Sequence, residues 1–103
     1  MALRDAALAS AECPNATLPL AVFAPQPQYP SALRKQRIQG LVAVEGIILA
    51  DGTVAYPRVI KADQPDLAPA SLSVFKTYRY KPGTCSGKPV PRFVTVSHSF
   101  RLQ

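Results

Sequence analysis

The sequence predicts an α+β domain: a small three-stranded antiparallel sheet packed against two helices, with an extra N-terminal segment. Three observations carry this reading. Asp51-Gly52 separates two apolar runs, the strongest short-range hairpin signal a chain offers. Leu67, Ser71, Val74, Phe75 and Tyr78 recur at helical spacing and define a core-facing stripe. The last run, residues 93–102, alternates its side chains with a period of two. The order helix, strand, strand, helix, strand sets helices against an antiparallel sheet.

Each element has a local reason. Residues 1–12 are alanine-rich and read as a helix. Residues 13–30 carry Pro14, Pro19, Pro25, Pro27 and Pro30, which exclude a regular helix or a central strand. They read as an extended segment lying across the domain. Residues 31–39 suit a short helix, with Pro30 at its first turn and Gly40 as its stop. Strand one covers about 41–49. Val42, Val44, Gly46 and Ile48 fall on one face, and Leu41, Ala43, Glu45, Ile47 and Leu49 on the other. Both faces are largely apolar, so something must cover the second: the N-terminal segment or a second subunit. Strand two covers about 53–61, and Pro57 marks a bulge or an edge. The next helix opens near Asp63 or Asp66, either of which is a suitable cap, with Pro69 in its first turn. Residues 81–90 read as a loop. In the last strand Val94, Val96, His98, Phe100 and Leu102 point one way, and Phe93, Thr95, Ser97, Ser99 and Arg101 the other. The chain divides into an N-terminal helix and extended segment, 1–25, and a domain, 26–103.

Composition narrows the function. At 103 residues there is room for one domain. A net charge of +6 suits an acidic protein partner, an anionic surface or nucleic acid. The bases are scattered, and the one cluster, Arg34, Lys35 and Arg37, reads as a solvated helix face rather than a phosphate site. No run of eighteen apolar residues exists to span a membrane. Ala9-Ser10-Ala11 is a weak signal-peptidase pattern, because Asp5 interrupts the short apolar stretch before it. Cys13 and Cys85 have too few companion ligands for a zinc site. They are two free thiols or one disulfide, and an oxidising compartment favours the disulfide. The bridge would close a loop of about 70 residues, worth roughly 4 kcal/mol.

Catalysis finds no support in the sequence. There is no acid–base pair, no nucleophile with a base and no glycine-rich phosphate loop. Ser97 and Ser99 flank His98, but strand neighbours point to opposite faces. His98 itself reads as a hydrogen-bonded strand-end histidine; the sharper alternative is a pH-sensitive partner contact. No cofactor or metal is expected.

Six pieces in order resemble the C-terminal domain of the TonB family. They are Tyr29-Pro30, then Gly40-Leu41-Val42-Ala43-Val44, then Asp51-Gly52-Thr53-Val54. Tyr78-Arg79-Tyr80-Lys81-Pro82, Gly87-Lys88-Pro89-Val90 and the run from Val94 to Phe100 follow. The resemblance covers about residues 26–102. It implies a periplasmic, non-enzymatic domain of an inner-membrane-anchored energy transducer, attached to the membrane only through an anchor this chain lacks. Such domains grip the TonB box of outer-membrane receptors and serve uptake such as that of siderophore-bound iron. The resemblance assigns partner binding to the edge strand, Phe93, Val94, Thr95, Val96, Ser97, His98, Ser99 and Phe100, and to Gln26, Pro27, Gln28 and Tyr29. An unpaired edge offers backbone groups that an extended peptide can satisfy. The chain departs from the family pattern at Tyr78, where tryptophan is usual, and at Gly46, where a bulky core residue is usual. A second reading stands beside the first: a dimerising or assembly module of the cell envelope, using Leu41, Ile47 and Leu49 as its face.

Overall fold

The computed structural model describes residues 2–11, 13 and 15–102. Helix α1 (Ala2–Ala11) leads into two short strands, β1 (Ala16–Thr17) and β2 (Leu20–Phe23). Residues 24–30 are extended without ladder bonds, and α2 (Ser31–Lys35) follows. Strands β3 (Gly40–Ile48) and β4 (Val54–Ala62) form the hairpin. A 3₁₀ turn (Pro65–Leu67) runs into α3 (Ala68–Phe75). The chain closes with β5 (Arg79–Lys81), β6 (Thr84–Cys85), β7 (Lys88–Pro89) and β8 (Arg92–Phe100).

The main sheet has the order β4-β3-β8, all antiparallel, with β3 at its centre and the expected β3–β4 hairpin on one side. Its turn is a three-residue loop. The Gly52 N–H bonds to the Leu49 carbonyl, the Leu49 N–H bonds to the Thr53 carbonyl, and Gly52 adopts φ 86°. Glycine is required here twice over, because a Cβ would also sit 2.1 Å from the Tyr80 carbonyl oxygen. Asp51 completes the turn by accepting from the Thr53 N–H (3.0 Å) and hydroxyl (2.6 Å). The Thr53 hydroxyl, and then its N–H, hold the Asp51 carboxyl below its ordinary pKa.

Strand β4 is the edge strand that Pro57 announces. The ladder slips between Glu45↔Arg58 and Ile47↔Ala55, the stretch that contains Pro57 and Tyr56, whose φ is 51°. A second slip leaves Ile60 unpaired and exposed.

The core lies between one face of the sheet and α3. Val42, Val44, Ile48 and Phe100 meet Leu67, Phe75, Tyr78 and Tyr80 there. The small residue at Gly46 is explained by its neighbours. A Cβ at Gly46 would lie 2.8 Å from Val54 Cγ1 and 2.9 Å from Phe75 Cε2, so the Phe75 ring fills the space a larger side chain would take.

Helix α2 stops before Gly40. The Ile38 N–H reaches the Leu33 carbonyl, the Arg37 N–H reaches the Arg34 carbonyl, and Arg37 takes φ 59°. This is a Schellman end with arginine at the left-handed position, and Leu33 and Ile38 pack on the core beside it. Asp63 does not cap α3, which has no side-chain cap; Pro69 sits in the first turn as expected. Asp63 instead clamps the hairpin, because its Oδ2 accepts from the Leu41 N–H at 2.9 Å. Residues 81–90 also hold more than a loop. Strands β6 and β7 pair across Ser86-Gly87, both with positive φ, and β1 pairs with β6. The N-terminal arm is stitched down by these pairs and by β2 on β5.

Candidate functional site

Strand β8 is the outer strand of the main sheet, and backbone parity decides what it presents. The Leu41 N–H and C=O both engage Asp63, and those of Leu49 engage the turn, so both residues direct their groups toward β4. Backbone groups alternate sides along a strand. Gly40, Val42, Val44, Gly46 and Ile48 therefore direct theirs toward β8. The β3–β8 register is unbroken from Gly40↔Phe100 to Ile48↔Arg92. On β8, Arg92, Val94, Val96, His98 and Phe100 consequently face β3. Phe93, Thr95, Ser97 and Ser99 direct N–H and C=O to the outer side, where no strand pairs among the described residues. Sequence alternation alone could not show this parity; the Asp63 clamp fixes it.

Helix α1 packs beside this strand. The Arg4 guanidinium lies 5.4 Å from the Phe93 ring centroid, and Ala7 is fully buried. Ile47, opposite Phe93 on the same face, is only 4% exposed. Near Ile47 and Phe93 the apolar second face thus lies beside the chain's own N-terminal helix. Of the three residues read as a dimer face, Ile47 is buried, Leu49 half-buried and Leu41 exposed. A cavity of about 280 Å³ remains on that face, lined by Arg4, Ile47, Tyr56, Arg58 and Phe93. Arg58 Nε donates to Glu45 Oε1 at 2.8 Å along its wall.

The 26–29 segment meets β8 through one ring. Tyr29 stands edge-on to Phe100, with centroids 5.5 Å apart, and its hydroxyl donates to the Ile38 carbonyl. Arg34 also lies over the Tyr29 ring, 5.5 Å from its centroid. Pro27 is half-buried. Gln26 and Gln28 are exposed and line a groove of about 660 Å³ with Pro69 and Ser73 of α3 and with Thr77 just after it. The structure therefore brings Tyr29 to the end of β8, while the two glutamines face α3.

His98 is a core residue, 3% exposed. Its Nε2 is 2.8 Å from the Tyr78 hydroxyl, and Nδ1 has no hydrogen-bond partner among the described residues. Burial lowers the His98 pKa below its ordinary value, favouring the neutral ring. Burial also raises the pKa of Tyr78, and that of Tyr80 with a further contribution from Tyr78. Sequence patterning put Tyr78 on a core-facing helix stripe and His98 on an otherwise apolar strand face, but not in contact. Polar atoms on two core-facing stripes were the available signal.

Cys13 and Cys85 are bridged, with Cα atoms 5.9 Å apart, beside the Ala16↔Cys85 pair. No helix among the described residues is long and apolar enough to cross a membrane.

These features define a small α+β domain whose sheet ends in a strand with outward-directed backbone groups. The chain belongs to the family described as Gram-negative bacterial TonB protein C-terminal, whose model matches residues 25–102. It is similar to the Pseudomonas aeruginosa TonB C-terminal domain solved by solution NMR, with TM-score 0.71 and 22% identity. That match covers 87% of this chain and 92% of the solved one. No curated protein matches the chain in sequence. Family membership places the domain in TonB-type envelope transport.

Proposed function

We propose that this domain works in the periplasm, on a parent anchored in the inner membrane, and grips the TonB box of an outer-membrane receptor. The box adds as a strand to the outer side of β8, coupling inner-membrane energy to import. The observation that supports this is the parity of β8: Phe93, Thr95, Ser97 and Ser99 hold a row of donors and acceptors at the sheet's edge. A peptide in extended conformation satisfies such a row without any catalytic group. Tyr29, packed on Phe100, brings the 26–29 segment to one end of that row. The alternative, a dimerising assembly module, has less to stand on, because Ile47 is buried within the chain.

The test is an NMR titration of the labelled domain with a receptor TonB-box peptide, repeated with peptides N-methylated at every second residue. Methylating one register removes the N–H groups that face β8; methylating the other leaves them. Shifts along residues 93–99, lost with one register and kept with the other, are expected. Equal binding by both methylated peptides would sink strand addition.

A further inference from the structure

The cavity on the second face of the sheet plays no part in the peptide reading of β8. Its apolar walls are Ile47, Phe93 and Tyr56, with Arg4 over the Phe93 ring. Its volume of about 280 Å³ exceeds the roughly 150 Å³ that holds benzene and approaches the smallest ligand pockets, roughly 300 Å³. There is room for one ring or one branched aliphatic group. Two charged side chains complete the lining. Glu45 and Arg58 stand opposite each other in the β3–β4 ladder, so they share the face that carries Ile47. They meet through a single bond, from Arg58 Nε to Glu45 Oε1. The two terminal nitrogens of Arg58 and the Oε2 of Glu45 make no hydrogen bond with any described residue. The hollow is therefore bordered by positively charged donors and a negatively charged acceptor, side by side and summing to zero charge.

Tyr56 adds an independent observation. Its φ of 51° holds a bulky residue in the left-handed region, within the slip of the β4 ladder. Core packing does not offset that strain, because Tyr56 is 68% exposed, and its hydroxyl makes no hydrogen bond among the described residues. Strained backbone of this kind clusters where ligands are clamped. We propose that the cavity binds a free apolar amino acid as its zwitterion. The α-carboxylate accepts from the terminal nitrogens of Arg58, and the α-ammonium donates to Glu45. The apolar side chain enters between Ile47, Phe93 and Tyr56. A simple carboxylate fits less well, because Glu45 repels it. A simple amine fits less well too, because Arg58 repels it. A ligand carrying both charges answers both ends of the pair.

The experiment titrates the ¹⁵N-labelled full chain with L-phenylalanine. Saturable shifts are expected at residues 45–47, 56, 58 and 93, with a midpoint on the order of 10 mM or below. 3-Phenylpropionate, which lacks the ammonium, and phenylalanine amide, which lacks the carboxylate, should each bind at least tenfold more weakly. Arg58→Gln and Glu45→Gln should each weaken phenylalanine binding tenfold or more. Lys61→Gln, an exposed base elsewhere on β4, should leave it unchanged. Tyr56→Gly should weaken binding without lowering the urea midpoint, which separates the ring's contact with the ligand from any loss of fold. Four results would overturn the proposal: no saturable shift at these residues, shifts confined to the outer residues of β8, equal binding of either analogue, or unchanged affinity in both the Arg58 and the Glu45 variants. None of these bears on peptide addition to β8.

Discussion

Replacing both Cys13 and Cys85 by serine removes the disulfide cross-link between the N-terminal arm and β6. The two cysteines are 72 positions apart, so the bridge closes most of the chain into a loop. For a loop of that size, the entropy withheld from the unfolded chain corresponds to about 4 kcal/mol at room temperature. Domains of this length are typically stable by only about 5–15 kcal/mol. The bridge is therefore a large share of the total. With about 4–8 °C of Tm for each kcal/mol, the double variant should melt roughly 15–30 °C lower. Calorimetry and urea titration of the variant, set beside the oxidised and the reduced wild type, measure this directly. The reduced wild type and the variant should agree. A loss below about 1 kcal/mol in both would refute the reasoning. It would mean that the arm peels away at little cost, and that β1, β2 and α1 belong to no common cooperative unit.

Three further outcomes follow from the core and the turns. Gly46→Ala should destabilise by about 1–3 kcal/mol, because the new methyl meets Val54 and the Phe75 ring inside 3 Å; an unchanged urea midpoint would show that Phe75 yields freely. Arg37→Gly should stabilise by about 0.5–1 kcal/mol, relieving the left-handed arginine at the end of α2 while giving back some unfolded-chain entropy; equal or lower stability would count against that strain. His98 titrates below its unfolded value near 6.5. The unfolded chain binds the proton more readily, so this group's contribution is full above that value. It is lost as the pH falls toward the folded pKa. His98→Gln, which keeps a partner for the Tyr78 hydroxyl, should flatten the fall in urea midpoint between about pH 7 and 5; parallel curves would discard the assignment.

The large elements were legible because each had two agreeing signals. The central hairpin combined alternating apolar residues with Asp51-Gly52, and α3 combined its helical stripe with Pro69 at the start. β8 was readable from Val94, Val96 and Phe100. The small strands were not, since Pro19, Pro82 and Pro89 disguise segments that pair over only two to four residues. Asp63 illustrates a different limit. As an isolated residue before a helix it suggests a cap, and only the fold shows Leu41 within its reach. The end of α2 misled for a related reason: Gly40 is the obvious stop, yet the Schellman bonds settle on Arg37. The candidate site was legible as a strand but not as an edge. Its outward groups depend on which side of β3 the Asp63 clamp lies, a relation between residues far apart in the sequence.

The bridge also shortens the route by which tension crosses the molecule. A pull applied ahead of Cys13 need not travel through α2, the hairpin and α3, because the sulfur–sulfur bond carries it straight to Cys85. Seven residues later the chain enters β8. Everything between the two cysteines, including the central strand and the helix that packs on it, sits inside a closed ring that such a pull cannot unspool. Tension then reaches β8 nearly at its first residue and runs along its length. A pull directed along β8 would strain its bonds to β3 together in shear instead of parting them one by one like a zip.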